Sequence, residues 1–200
     1  MRGIDFDKAT EIYYRETNAM RAITNLTQEN YHLGVVRYQT VFEPFFHSLF
    51  REKGIVGKKI VEFSYKLIMS AKHPLAQAEE IKFSDLADYI QIAYGDPYVP
   101  SMSQFDVKRE ERLEENDKRV YVYDRASKID LLTDLPDAYM FVSAVPKHRL
   151  EEYHLVEKTC VDDLRRYEDV LIYLKEYRFS DLDKAFFAAL EKSKNNTFGK

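Results

Sequence analysis

The chain has 200 residues, 45% of them hydrophobic and 32% charged. That is enough apolar material for the core of one ordinary domain or two small ones, and it excludes wholesale disorder. The net charge of −4 excludes a global electrostatic pull toward nucleic acid or an anionic membrane, and the single cysteine, Cys160, excludes an intrachain disulfide and a multi-cysteine zinc site.

The first residues are short, polar and carry Asp5 and Asp7, unlike a secretory or transit peptide, and no apolar run approaches the ~20 residues of a spanning helix. The expectation is a cytoplasmic chain with no membrane partner. Glycine and proline are scarce at six each, while amphipathic runs are long. This texture predicts a mainly α protein of six or seven helices, bundle-like or α+β, with a small two-stranded β element near residues 119–145. Its expected organisation is an aromatic-rich helical region over 1–95, a linker-like turn over 96–103 and an α+β to helical region over 104–200, together one compact domain.

In chain order, Asp5 or Asp7 caps a first helix running to about Glu29, with Ala9, Ile12, Tyr13, Met20, Ile23 and Leu26 on one side. Over 31–53, Val35, Tyr38, Phe42, Phe45 and Leu49 follow helical spacing; Pro44 kinks this segment or starts a new helix, and Gly54 ends it. A third helix is expected over 58–72, stopped by His73-Pro74. Ser84 with Asp85 caps a helix over 86–94 that Gly95 closes. A charged surface helix is expected over 104–118. The texture then changes, with a strand at 119–123, a short helix at 128–135 and a strand at 138–145. From Lys147 to Arg178 the apolar residues Leu150, Tyr153, Cys160, Leu164, Tyr167, Leu171 and Leu174 recur at spacings of three and four. This predicts a helix of roughly 45 Å, or two helices meeting near Cys160, where Thr159 and Asp162 form a capping-box pattern. Ser180-Asp181 caps a last helix over 182–192, followed by a mobile tail.

Two short motifs carry chemistry. Arg149-Leu150-Glu151-Glu152-Tyr153-His154 places an Arg to hold a phosphate and a His to move the proton of an attacking 2′-hydroxyl. It resembles the Arg-x4–6-His motif of HEPN-domain ribonucleases, and the resemblance implies a helical, dimeric, metal-independent ribonuclease using Arg149 and His154. Gly54-Ile55-Val56-Gly57-Lys58-Lys59 resembles the Gly-x-x-Gly loop of KH domains, which implies a nucleic-acid-binding module using Gly54, Gly57, Lys58 and Lys59. Asp124, Asp130, Asp134 and Asp137 are a weaker suggestion of a Mg²⁺ site, since Asp belongs at caps and turns for local reasons. The five histidines lack metal spacing, so no metal and no cofactor is expected, and Cys160 reads as a small core residue.

The favoured reading is a non-enzymatic interaction or structural protein that self-associates, or binds a protein partner, through aromatic helical faces. It rests on the surplus of 15 Tyr and 13 Phe. Tyr38, Phe42, Phe46, Phe50, Tyr153 and Tyr167 are the expected interface. The ribonuclease and the nucleic-acid-binding module are the alternatives.

Overall fold

The computed structural model describes residues 11–100, 118–124 and 126–199. Their elements are α1 (Ala19–Gln28), β1 (Gly34–Gln39), α2 (Glu43–Glu52), β2 (Ile55–Phe63), β3 (Lys66–Ser70), β4 (Ile90–Tyr94), β5 (Arg119–Val122), α3 (Ala126–Asp134), β6 (Ala138–Val142), α4 (Lys147–Glu152), β7 (Leu155–Lys158), β8 (Tyr167–Leu174) and α5 (Asp181–Phe198). The fold is α/β, with two sheets in the orders β1-β8-β2 and β5-β4-β6-β3-β7. The mainly helical, bundle-like architecture expected from sequence is therefore corrected.

The chain forms two units, and the division falls inside β1, β2 and β8. One unit comprises the described residues of Met1–Arg37, Pro44–Val61 and Asp169–Lys200. Its buried side chains include Ile23 and Leu26 of α1, Phe46 and Phe50 of α2, and Val170, Leu171 and Ile172 of β8. Full burial of such a side chain contributes about 1.5–3 kcal/mol. The Phe50 ring packs against β2 at Gly57, where an added Cβ would come within 2.9 Å of it. The other unit comprises Tyr38–Glu43 and the described residues of Glu62–Glu168, and it holds the five-stranded sheet.

That sheet is mixed. β4 pairs in parallel with both β5 and β6, while β3 runs antiparallel to β6 and β7. Both faces are covered. Ile68, Ala138 and Met140 point into a core with Leu132, Ile92 and Leu155, and α3 and α4 add Ile129 and Leu150 to it. Leu67, Met69 and Tyr139 point the other way, to Ile81, Leu86 and Cys160. Successive residues of β3 thus alternate between two apolar cores. Its three central positions are all hydrophobic, as in strands buried on both faces.

This explains where helical spacing misled. The stretch expected as a third helix is β2 and β3, and that expected over 86–94 is a 3-10 turn at Phe83–Leu86 followed by β4. The long helix over 147–178 is instead α4, β7 and β8. His154 adopts φ 52° immediately after α4, a left-handed conformation that stops the helix. The aromatic segment 31–53 is β1, a 3-10 turn at Thr40–Phe42 and α2, whose first turn holds Pro44. The strand, helix and strand near 119–145 are β5, α3 and β6. They make no separate two-stranded sheet, because β4 lies between β5 and β6. The first helix is capped by Asn18, whose side chain accepts from the Arg21 N–H at 2.8 Å; Asp5 and Asp7 lie outside the described residues, as does all but Lys118 of the expected helix over 104–118.

Two polar devices fix chain ends and turns. At α5, Asp183 Oδ2 accepts from the Ser180 N–H (2.8 Å), the Ser180 hydroxyl (2.7 Å) and the Tyr177 hydroxyl (2.8 Å), while Ser180 Oγ accepts from the Asp183 N–H (3.2 Å). This capping box carries the helix through to Phe198, across the stretch expected as a mobile tail. At the turn after β3, His73 is buried. Its Nδ1 accepts from the Leu75 N–H at 3.0 Å, and its ring lies 4.4 Å from that of Tyr89.

Asp183→Ala should destabilise the protein by about 1–2 kcal/mol, read from urea denaturation, with loss of helical circular dichroism. Burial pushes the Asp183 carboxyl up, but hydrogen bonds from Ser180 and Tyr177 outweigh it and hold the group below its ordinary range. Its stabilisation is present above the unfolded value near ~3.9 and is lost as pH falls through the folded value. Equal stability of the variant would contradict the assignment. For His73, burial lowers the imidazole pKa despite the Asp137 carboxylate beside it. The unfolded chain therefore takes up a proton below about pH 6.5 that the fold resists, and stability should fall from there toward the lowered folded value. Thermal melts at pH 7.5 and 5.5 check this, with a smaller drop expected for His73→Asn, whose side-chain oxygen can accept the same Leu75 N–H.

Candidate ligand-binding edge

Because β4, β5 and β6 are parallel, their C-terminal ends fall along one edge of the sheet. The chain leaves that edge at Tyr94-Gly95-Asp96, at Tyr123-Asp124 and at Ser143. The antiparallel strands bring further groups to the same edge. Lys66, the first residue of β3, pairs with Val142, and Lys158, the last of β7, pairs with Leu67. With β5 on one side of β4 and β6 on the other, the ends of three parallel strands lie next to one another, and in open α/β sheets ligands bind beyond the carboxyl ends of the strands.

Each polar group on the edge has a local cause. Asp124 sits before α3; its Oδ1 accepts from the Ser127 N–H at 2.8 Å and its Oδ2 from the Ser127 hydroxyl at 2.9 Å. This is a helix-cap arrangement, and it is the role of an aspartate that sequence reading considered for Mg²⁺. Lys128, one residue further along α3, holds its ammonium 5.2 Å from the Tyr94 ring centroid. Lys66 Nζ donates to Thr159 Oγ1 at 3.0 Å, and the Val145 N–H donates to Glu157 Oε2 at 3.5 Å, tying the β6 loop to β7. Beside Lys66, Tyr65 stacks on Tyr167 at 4.0 Å with 19° between the ring planes. Burial pushes the half-buried Tyr98 phenol up, so it stays a neutral donor and acceptor three residues beyond Gly95.

Gly95 is the tightest point. Its N–H donates to the Val122 carbonyl at 2.9 Å, extending the β4–β5 pairing by one residue. The phenol end of Tyr123 lies against it so closely that an added Cβ would sit 2.6 Å from the Tyr123 Cζ. Tyr123 itself remains 63% exposed.

Apart from Asp124 and Tyr167, the residues singled out from sequence fall elsewhere. Arg149 is exposed on α4 and pairs with Glu152 at 2.8 Å, while His154 is exposed beyond the end of that helix, in its left-handed conformation. α4 ends at Glu152, so the two do not share a helix face, and the ribonuclease expectation is corrected with the helix that carried it. Gly54 ends α2 at φ 67°, and Gly57, Lys58 and Lys59 lie within β2, so the Gly-x-x-Gly segment is no loop that could clamp a nucleic-acid backbone. Tyr38, Phe46, Phe50 and Tyr167 are buried, and Phe42 and Tyr153 are half-buried. Four of these six expected interface residues are therefore core, and only Phe46 and Phe50 lie on an α-helix, α2, which turns them inward, so the self-association reading through aromatic helical faces is corrected. Asp130 and Asp134 are exposed on α3, and among the described residues no three His, Cys, Asp or Glu side chains are grouped to hold a metal ion. Cys160 is buried and its Sγ donates to Asp162 Oδ1 at 3.1 Å. Burial first, then the Asp162 and Asp163 carboxylates, push the thiol up to about 12, so it stays a protonated, unreactive core group. Among the described residues, no helix is long and apolar enough to cross a membrane.

No local pattern in the sequence marks the edge itself. Gly95-Asp96-Pro97 was legible only as a turn, and Tyr123-Asp124 only as the end of a strand. Their meeting depends on strand order, which no local pattern encodes.

No family model matches the chain, and no curated protein matches it. Solved structures do. The effector-binding domain of QuiR in complex with shikimate matches with a TM-score of 0.57 at 18% identity, over 88% of this chain and 78% of that one. The regulatory domain of MetR, a LysR-family regulator from N. meningitidis, matches with a TM-score of 0.58 at 15% identity, over 88% and 76%. The oxidized form of OxyR matches with a TM-score of 0.58 at 14% identity, over 94% and 82%. Against a full-length BenM mutant the TM-score is 0.58 at 14% identity, and the alignment spans 90% of this chain but 56% of that one. These likenesses establish the fold: an α/β architecture resembling LysR-type regulatory domains, in place of the helical bundle expected from sequence.

Proposed function

We propose that this chain is a ligand-sensing regulatory domain that binds a small organic molecule at the C-terminal edge of its five-stranded sheet. The observation that carries the reading is the parallel pairing of β4 on both sides, which puts Gly95, Asp96, Tyr123, Ser143 and Lys66 along one edge of the sheet, in a fold that resembles effector-binding domains. The edge offers donors, acceptors, both signs of charge and aromatic rings within one unit, the mixture by which small-ligand sites fix orientation. Its Ser127 and Thr159 hydroxyls are held in a helix cap and a strand-to-strand contact, by Asp124 and Lys66 respectively, and the role read for the edge is recognition of a ligand. In this reading the domain acts in the cytoplasm as a homo-oligomer, and ligand binding shifts its conformational populations to report to a DNA-binding partner module.

The test is thermal denaturation of the chain against a panel of small metabolites, beginning with shikimate and other hydroxylated or carboxylated acids and including amino acids. A true ligand at about 100 times its Kd adds roughly 2.7 kcal/mol of stability, which corresponds to a rise in Tm of about 2–4 °C for a chain of this size. Asp96→Ala and Lys66→Ala should each weaken the hit by about tenfold, and Arg149→Ala, outside the edge, should leave it unchanged. Hits that ignore both edge substitutions would place the site elsewhere, and a panel with no hit would count against the reading. Light scattering at two concentrations checks the oligomer, which a strictly monomeric chain would refute.

A further inference from the structure

The conformation of Tyr123 is not explained by packing the core. A tyrosine ring placed for the core is buried, yet Tyr123 is 63% exposed. It is nevertheless seated. Its Cζ, Cε1 and Cε2 lie 2.6–2.8 Å from where a Cβ on Gly95 would stand, so the ring occupies space available only because residue 95 has no side chain. Gly95 needs no unusual backbone angle, since its φ is not among the positive ones. The close approach of the ring is therefore what its missing side chain permits. The seat is firm, because Gly95 and Val122 are joined by a backbone hydrogen bond, and Tyr123 follows Val122 directly. One side of the phenol is thus supported by backbone while most of the residue faces solvent, at the strand ends where the ligand reading places the site.

We infer that Tyr123, supported by Gly95, is a stacking platform for a flat aromatic or heteroaromatic ring of the ligand. The inference rests on the ligand-binding reading of this edge and names the class of molecule it takes. Rings prefer offset or edge-to-face contact, worth about 0.5–1.5 kcal/mol beyond the area they bury. A backbone-supported ring provides this with little conformational entropy left to lose. The surroundings restrict the occupant to a small, polar-substituted molecule. Asp96 directly follows Gly95, Asp124 directly follows Tyr123, and Lys128 stands over the neighbouring Tyr94 ring. Such a polar frame is ill suited to a broad apolar protein surface.

The experiment uses the full chain and two charge-matched probe pairs, benzamide with cyclohexanecarboxamide and benzoate with cyclohexanecarboxylate. Titrations are followed by NMR through the backbone amides of Gly95, Asp96 and Ser143 and the ring signals of Tyr123. At least one aromatic member should bind about threefold to tenfold more tightly than its saturated partner and shift the Tyr123 ring. That preference should vanish in Tyr123→Ala, persist in Tyr123→Phe, and weaken in Gly95→Ala, where the new methyl displaces the ring while leaving it present. If both members of each pair bind equally, or the preference survives Tyr123→Ala, the platform is refuted while the edge remains a binding site. If no probe shifts any of the edge amides, the ligand-binding reading of the edge fails, and the platform with it. Tyr123 is exposed, so its substitution should leave the fold intact, which amide shifts of each variant that change only near the edge would verify.

Discussion

The parallel pairing of β4 with strands on both sides is the constraint on which the five-stranded unit depends. Ile92 faces Val120 across one ladder, and Ile90 faces Ala138 across the other. β5 and β6 run parallel on either side of β4, so the chain must cross β4 to pass from one to the other, and α3 is that crossover. Its Leu132 is buried with Ile92, Ala138 and Met140, closing one face of the sheet. Reversing either neighbour would remove the need for α3 and scatter the three strand ends that now form one edge. The location of the candidate site is therefore a consequence of strand direction before it is a consequence of any side chain.

The second constraint is burial on both faces. β3 carries Leu67 and Met69 into one core and Ile68 into the other, all fully buried, and Tyr139 and Met140 of β6 divide the same way. A one-residue slip would exchange the two sets between cores of different shape, so packing specifies register as strongly as polarity does elsewhere. The three-stranded sheet uses polar pairs for the same end. Arg37 donates two hydrogen bonds of 2.7 Å to the two oxygens of Asp169, and Tyr38, the next residue, lies buried beside Glu168. Burial and the Glu168 carboxylate drive the Tyr38 phenol far above its ordinary range, so it remains protonated beside that carboxylate. Removing one partner of a partly buried pair would leave the other charge exposed to a desolvation cost of several kcal/mol, which makes these pairs strong markers of strand alignment.

These constraints also decide what could be read from the chain. The strand, helix and strand over 119–145 were legible because Pro136 and Pro146 bound the segments and each run is short. The capped helix at Ser180 was legible because its signal is local. The remaining strands were not. Where both faces are buried, apolar residues fill consecutive positions, and any three- or four-residue spacing can be drawn through them. Tyr167, Leu171 and Leu174 look like helix positions for this reason, although they share β8 with Val170 and Ile172. The early division of the chain, with β8 returning between β1 and β2, joins residues more than a hundred positions apart. Such a pairing leaves no periodic trace.

The misread motifs share a further physical cause. Arg149 and His154 have the spacing of a helix pair, but His154 takes a left-handed conformation and the chain turns into β7. Gly54 and Gly57 have the spacing of a loop, but only Gly54 uses the freedom of a positive φ, and Gly57 instead makes room for Phe50. Gly95 belongs with Gly57: both lack a side chain because an aromatic ring from another element lies against the backbone. The two differ in what the ring does next. Phe50 is buried and its seat completes a core, whereas Tyr123 is open to solvent and its seat completes a surface. A glycine's neighbours, rather than the glycines around it in sequence, are what separate a structural role from a binding one.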